Sequence, residues 1–290
     1  MSFPTLLLAG LANGSLYALV ALGLVLIYKT QDVVNFAHGE LLMAGAFIGF
    51  SAYQYLHLPY PAAFLLAVLM GGLLGAVIER VAFRPIAHHP HITLAMVTVG
   101  LSVFLKGVAR IPFGSDIYTF PPAISVDRME IAGIVVAPQH LLTIAIASAL
   151  TFLLYLFFRF TTLGKQMRAT QQNLTGARLV GINTGSVFAT TWSLAAAVGA
   201  AGGVLAGPLA LLYPDMGTNF LLKGFAAAVL GGFESIPGAI VGAFLVGIIE
   251  MIFGGYISTA FQQVSAFFII IFVLFLKPDG LFGRRAVARV

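Results

Sequence analysis

Residues 4–28 read PTLLLAGLANGSLYALVALGLVLIY and carry no charge. A bilayer core of about 30 Å needs roughly 20 apolar residues in a helix, so this stretch is long enough to span. Apolar residues fall on all its sides instead of alternating, which excludes a barrel strand. Similar runs follow at 36–56, 61–78, 92–109, 138–158, 188–212, 237–253 and 258–276, and a shorter one at 219–233 holds Lys223 near its start. The expected fold is all-α: a single-domain, polytopic helical membrane bundle over 1–290, with eight full transmembrane helices plus one short or broken one. The opening MSFPTLLLAG has no basic leader segment and reads as part of the first span, not as a signal peptide.

Composition agrees. Of 290 residues 60% are hydrophobic and 9% charged, whereas soluble proteins carry about 25% charged residues. So few charges cannot cover a soluble globule, and disorder needs the opposite bias. The net charge of +5 comes from 15 Lys/Arg against 10 Asp/Glu. These bases sit at the ends of apolar runs and form no nucleic-acid-binding face. With no cysteine there is no disulfide framework and no thiolate site.

The basic residues also suggest an orientation. If the N-terminus is outside and all nine runs cross, the inside receives Lys29, Arg80, Arg84, Arg159, Lys165, Arg168, Arg178, Lys277, Arg284, Arg285 and Arg289. Arg110, Arg128 and Lys223 fall outside, and Lys106 lies near the outer end of its helix, where it and Arg110 are expected to snorkel outward. Basic residues concentrate on the cytoplasmic side, so the expectation is N-out/C-in.

Two segments resemble two later ones. Tyr28-KTQDVV-Asn35-Phe36-AH-Gly39 aligns with Tyr213-PDMGT-Asn219-Phe220-LLK-Gly224, and Gly71-GLLGAVI-Glu79 with Gly242-AFLVGII-Glu250. Under the N-out arrangement the copies run in opposite directions, as in an inverted-topology repeat, where substrate sites lie near the midplane beside broken helices. Chance similarity between Gly/Leu/Ile-rich segments is the competing account. Ala195, Gly199, Gly203 and Gly207 recur every four residues, a small-residue stripe suited to close helix packing.

Enzyme signatures such as His-Glu-x-x-His, Gly-x-Ser-x-Gly and Gly-x-x-x-x-Gly-Lys are missing. His88, His89 and His91 share a loop with Arg80 and Arg84 and read as solvated. The expectation is no enzyme and no cofactor bound by this chain. Polar residues inside spans are costly and tend to be functional. Asn13 and Ser15 in the first run, and Asn35, His38 and Glu40 at the start of the second, are the candidate substrate path. A capping and interfacial role for Asn35, His38 and Glu40 competes with it. Glu250 is read as an interfacial pairing or a substrate contact.

The loop 159–187, RFTTLGKQMRATQQNLTGARLVGINTGSV, has four basic residues and no acidic one. Loops of this length are usually functional or disordered. A helix is expected from Lys165 to Val180, between Gly164 and Gly181. Ala169, Asn173, Ala177 and Gly181 then form an i, i+4 row that another protein could approach closely.

Asn13-Gly14-Ser15-Leu16-Tyr17-Ala18-Leu19 and Asn35-Phe36-Ala37-His38-Gly39-Glu40 resemble the opening of the shorter permease subunit of branched-chain amino acid ABC importers. Gly164-Lys-Gln-Met-Arg168-Ala169, Ala177-Arg-Leu-Val-Gly181-Ile182, Leu230-Gly-Gly-Phe-Glu-Ser-Ile-Pro-Gly238 and Pro278-Asp279-Gly280-Leu281-Phe282-Gly283 continue the resemblance over nearly the whole chain. The resemblance implies a bacterial inner-membrane subunit that pairs with a second, homologous permease. It further implies two cytoplasmic ATPase subunits, which bind ATP and Mg, and a periplasmic solute-binding protein. The loop 159–187 would be the coupling helix, with Gly164, Arg168, Ala169, Asn173, Ala177 and Gly181 at the ATPase contact. Permeases for urea or short-chain amides look similar, and a stand-alone secondary carrier using Glu40 and His38 is a further alternative.

Overall fold

A computed structural model describes residues 3–124, 129–131, 134–277 and 279–283. Arg128, Pro278, Arg284, Arg285 and Arg289, which entered the sequence reading, lie outside the described residues. The helices are α1 (Phe3–Gln31), α2 (His38–Gln54), α3 (Tyr60–Ile78), α4 (His91–Phe113), α5 (Pro138–Phe160), α6 (Thr162–Gln172), α7 (Leu174–Leu179), α8 (Thr184–Ala206), α9 (Met216–Gly231), α10 (Ile236–Tyr256) and α11 (Thr259–Leu276). A two-stranded antiparallel hairpin, β1 (Met129–Ile131) and β2 (Ile134–Val136), lies between α4 and α5.

Among the described residues seven helices are long and apolar enough to cross a membrane: α1, α3 with its continuation to Ile86, α4, α5, α8, α10 and α11. That is one fewer than the eight full spans expected. The difference is the run 36–56, which yields only the 17-residue α2. With the 16-residue α9, the bundle holds two short helices, one early and one late. Each rises about 25 Å at 1.5 Å per residue, less than the hydrocarbon core.

α1 forms the axis and is buried through most of its length. It packs against α10, α8, α9 and α5, while α8 also packs against α2 and α3. α4, α5 and α11 present most of their surface outward, as lipid-facing helices do. Close approach depends on small residues at the crossings, as membrane packing requires. On α8 a Cβ at Gly203 would collide with the Leu42 carbonyl oxygen, and the Gly199 backbone faces the His38 ring. Gly207, which caps α8, faces the Phe120 ring instead. The stripe thus packs within the chain.

The loops gather at two ends. At one end Arg84 Nη2 donates to the Gly185 carbonyl (3.1 Å), Trp192 Nε1 donates to Gln31 Oε1 (2.9 Å), and Leu281 N donates to Leu230 O (2.8 Å). α6 and α7 belong to this end. At the opposite end Tyr118 and Leu212 exchange backbone hydrogen bonds of 2.8 and 3.0 Å, tying the α4–α5 loop to the α8–α9 loop.

The loop 159–187 is not one helix from Lys165 to Val180 but two. Asn173 caps both: it ends α6, and its Oδ1 accepts from Gly176 N at 2.8 Å to start α7. An Asn in this role satisfies an otherwise unpaired amide of the new helix.

Candidate functional site: the short-helix junction and the cavity beside it

Both short helices begin beside each other. Gly39 in the first turn of α2 and Gly217 in the first turn of α9 approach so closely that a Cβ on either would collide with the other's backbone. Only glycine allows this contact. It brings two helix N-termini, each carrying a partial positive charge, into one region. Glu40 is buried there in the first turn of α2. Lys106 Nζ on α4 lies 3.4 Å from Glu40 Oε1 and 3.8 Å from Asp215 Oδ1, and donates to Thr218 Oγ1 at 2.9 Å. Arg110 Nη2 pairs with Asp215 Oδ2 at 2.6 Å. Lys106 therefore turns into the bundle, whereas Arg110 reaches outward to an exposed ion pair with Asp215, both side chains 48% exposed. The buried carboxylate of Glu40 outweighs snorkelling, since an unpaired charge there would be costly.

His38 is wedged between α1 and α8, where a Cβ at Gly23 would overlap its ring. Neither ring nitrogen has a protein partner, and the same holds for Asn35 Nδ2 and Glu40 Oε2. Asn35 Oδ1 accepts from Ala37 N at 3.0 Å, and Phe36 N donates to Thr98 Oγ1 at 3.1 Å. These bonds, with His38 N donating to Asn35 O at 3.2 Å, hold a turn that leads into α2. Asn35, His38 and Glu40 are thus neighbours at the junction, and all three are buried within the chain.

Next to the junction, at the end opposite α6 and α7, lies a cavity of about 610 Å³. Its floor is an ion pair. Lys223 Nζ of α9 lies 2.6 Å from Glu250 Oε1 of α10, and the Tyr17 hydroxyl of α1 donates to Glu250 Oε2 at 2.6 Å. Gln262 Nε2 of α11 donates to Glu250 Oε1 at 3.4 Å. Glu250 is 2% exposed and the Lys223 side chain 20%. Leu16, Met216 and Phe220 form the apolar wall.

Asn13 lines this cavity, with Nδ2 3.4 Å from Met251 Sδ. Ser15 does not join it. Its hydroxyl donates to the Ala12 carbonyl (2.7 Å), and it lines a separate groove with Ala147, Ser148, Pro237 and Phe244 on another side of α1. Two residues apart on a helix, Asn13 and Ser15 point about 200° apart. Tyr17 and Gln262 were not singled out from sequence, and Lys223 only as an interruption of its run and an outer-side charge. The readable signal was that Lys223 and Glu250 both fall within apolar runs, where lone charges are disfavoured and pairs are the remedy.

At the α6–α7 end the expected contact row is divided. Gly164 and Ala177 are buried within the chain, Ala169 is half-buried, and Arg168, Asn173 and Gly181 are exposed. Gly164 packs on the backbone of Phe157 and Phe158. The outward tip of α7 is apolar instead: Leu179 is 83% and Val180 76% exposed.

This fold is that of a multi-pass inner-membrane protein in which the buried Glu40 and Glu250 are paired with lysines of other helices. The chain belongs to the family described as branched-chain amino acid transport system / permease component, whose model matches residues 6–276. It is similar to the high-affinity branched-chain amino acid transport system permease protein LivH of Escherichia coli K12, 33% identical over 97% of this chain and 96% of that one. BraD of Pseudomonas aeruginosa, described in the same words, is 32% identical over 98% and 97% of the two chains. A probable branched-chain amino acid transport permease protein LivH of Methanocaldococcus jannaschii is 26% identical over 93% and 89%. No solved structure matches the chain. Each of these relatives is described as a transport permease protein.

Proposed function

We propose that this chain is the permease subunit of an ATP-driven importer of branched-chain amino acids. It pairs with a second, homologous permease in the membrane. Two cytoplasmic ATPase subunits hold the ATP and Mg, and a periplasmic binding protein delivers the substrate. The chain runs N-out/C-in. On this reading α1–α4 and α8–α11 are inverted copies, each with one short helix. The positions of Glu79, paired with Arg84 at the α6–α7 end, and Glu250, at the opposite-end cavity, support that symmetry.

The observation that carries the reading is the exposed apolar tip of α7, Leu179 and Val180, on a basic elbow of a chain with no nucleotide-binding motif of its own. Such a tip fits a groove on an ATPase. The contact then runs through Leu179, Val180, Arg168, Asn173 and Gly181, with Gly164 and Ala177 holding the elbow to the bundle. The test is leucine uptake into liposomes containing the reconstituted complex. Uptake should require ATP, and Leu179→Glu should abolish it while the permease remains folded. Uptake driven by a proton gradient without ATP would establish a secondary carrier instead.

A further inference from the structure

The geometry points to Lys223 and Glu250 as a two-armed clasp for the charged ends of a free zwitterionic amino acid, with Leu16, Met216 and Phe220 receiving its side chain. This rests on the importer reading above and adds to it a site and a basis for selection.

A lone charge at this depth would be costly, and the two together are neutral. A ligand that keeps the cavity neutral while satisfying both groups must itself bear one positive and one negative end. An α-amino acid does so, with its ammonium and carboxylate joined through one carbon. On entry the ligand ammonium takes Glu250 and its carboxylate takes Lys223. One ion pair, 2.6 Å long, is replaced by two, and no charge is left unpaired. The Tyr17 hydroxyl stays on Glu250 Oε2 (2.6 Å) and fixes that arm. The volume of about 610 Å³ lies within the range of small-molecule sites, about 300–1,000 Å³. Urea and short amides have neither charged end and gain nothing from opening the pair. Because Lys223 lies on α9 and Glu250 on α10, a ligand between them also separates the short helix from its neighbour.

The chain has no cysteine, so Gln263→Cys, at the cavity wall, gives a single reporter thiol. Its reaction with a charged methanethiosulfonate is followed on the permease band of the complete permease–ATPase complex in membrane vesicles. Leucine should slow labelling by about tenfold at ten times its Kd. Leucinamide, which lacks the carboxylate, and 4-methylpentanoate, which lacks the ammonium, should not. Equal protection by all three, or protection by none, would overturn the clasp. In the latter case ATP-driven leucine uptake by the same complex shows that the importer reading survives. A complex that carries urea and not leucine would overturn both. As a second arm, Lys223→Met combined with Glu250→Gln leaves no unpaired charge. It should keep the complex assembled and lower leucine uptake about tenfold or more, and uptake at the wild-type rate would refute the assignment.

Discussion

Lys106→Met tests how the short-helix junction is held together. The substitution keeps most of the side chain's apolar volume and removes the ammonium 3.4 Å from Glu40 Oε1. Two unit charges about 4 Å apart interact by about 4 kcal/mol at an effective dielectric near 20. The Lys106 side chain is 21% exposed, so part of that is screened. The N-terminus of α2 continues to favour the carboxylate, by up to about 2 kcal/mol. The expected loss is therefore about 2–3 kcal/mol, below the 3–5 kcal/mol typical of stripping one partner from a fully buried pair. For a chain of this size that lowers the melting temperature by about 4–6 °C. The assay is thermal challenge of the detergent-purified protein, read by size exclusion. Glu40→Gln removes the stranded charge, so the double variant should melt above Lys106→Met alone. If the two losses simply add, or Lys106→Met melts within about 0.5 kcal/mol of wild type, Glu40 and Lys106 are not coupled and the reasoning fails.

Three further outcomes are expected. Gly203→Leu forces side-chain atoms onto the Leu42 carbonyl and should leave little folded protein after extraction, whereas Gly100→Ala, where nothing lies within 4 Å, should be neutral or stabilising by up to about 1 kcal/mol, as melting would show. Trp192, the single tryptophan, is fully buried and packs against Phe83 with ring centroids 4.3 Å apart and the planes tilted by 31°; its emission should be blue-shifted, and Trp192→Ala should cost about 3–5 kcal/mol of stability. Ala177→Glu buries a charge in the elbow and should lower folded yield, while Leu179→Glu should leave yield unchanged and reduce ATPase co-purification.

Much of the site was hidden by chain separation. Tyr17 and Glu250 are 233 residues apart, and Lys223 and Glu250 are 27 apart. Hydropathy records that each polar residue is out of place but not which one answers it. The Asn173 break was legible in principle, because Asn is among the preferred N-cap residues; here its Oδ1 accepts from Gly176 N. The small-residue row Ala169, Asn173, Ala177 and Gly181 assumed one continuous helix, so its common face disappeared when α6 and α7 took different directions.

What the sequence determined alone was the class of protein. Runs such as 4–28 with 9% charge overall leave a helical membrane bundle as the one arrangement that pairs its backbone polar groups in lipid. The α8 stripe of Gly199 and Gly203 was legible for a related reason, because only small residues admit a neighbouring backbone, whereas the Gly39–Gly217 contact was not. Depth and pairing were left to the tertiary structure. The run 36–56 is apolar enough to span, yet α2 starts only at His38, because Asn35 and Thr98 hold the preceding residues in a turn and the α9 N-terminus abuts Gly39. Apolar length is a local property. Where a helix begins within the bundle, and which distant charge lies beside it, depends on contacts between segments that meet only in the folded chain.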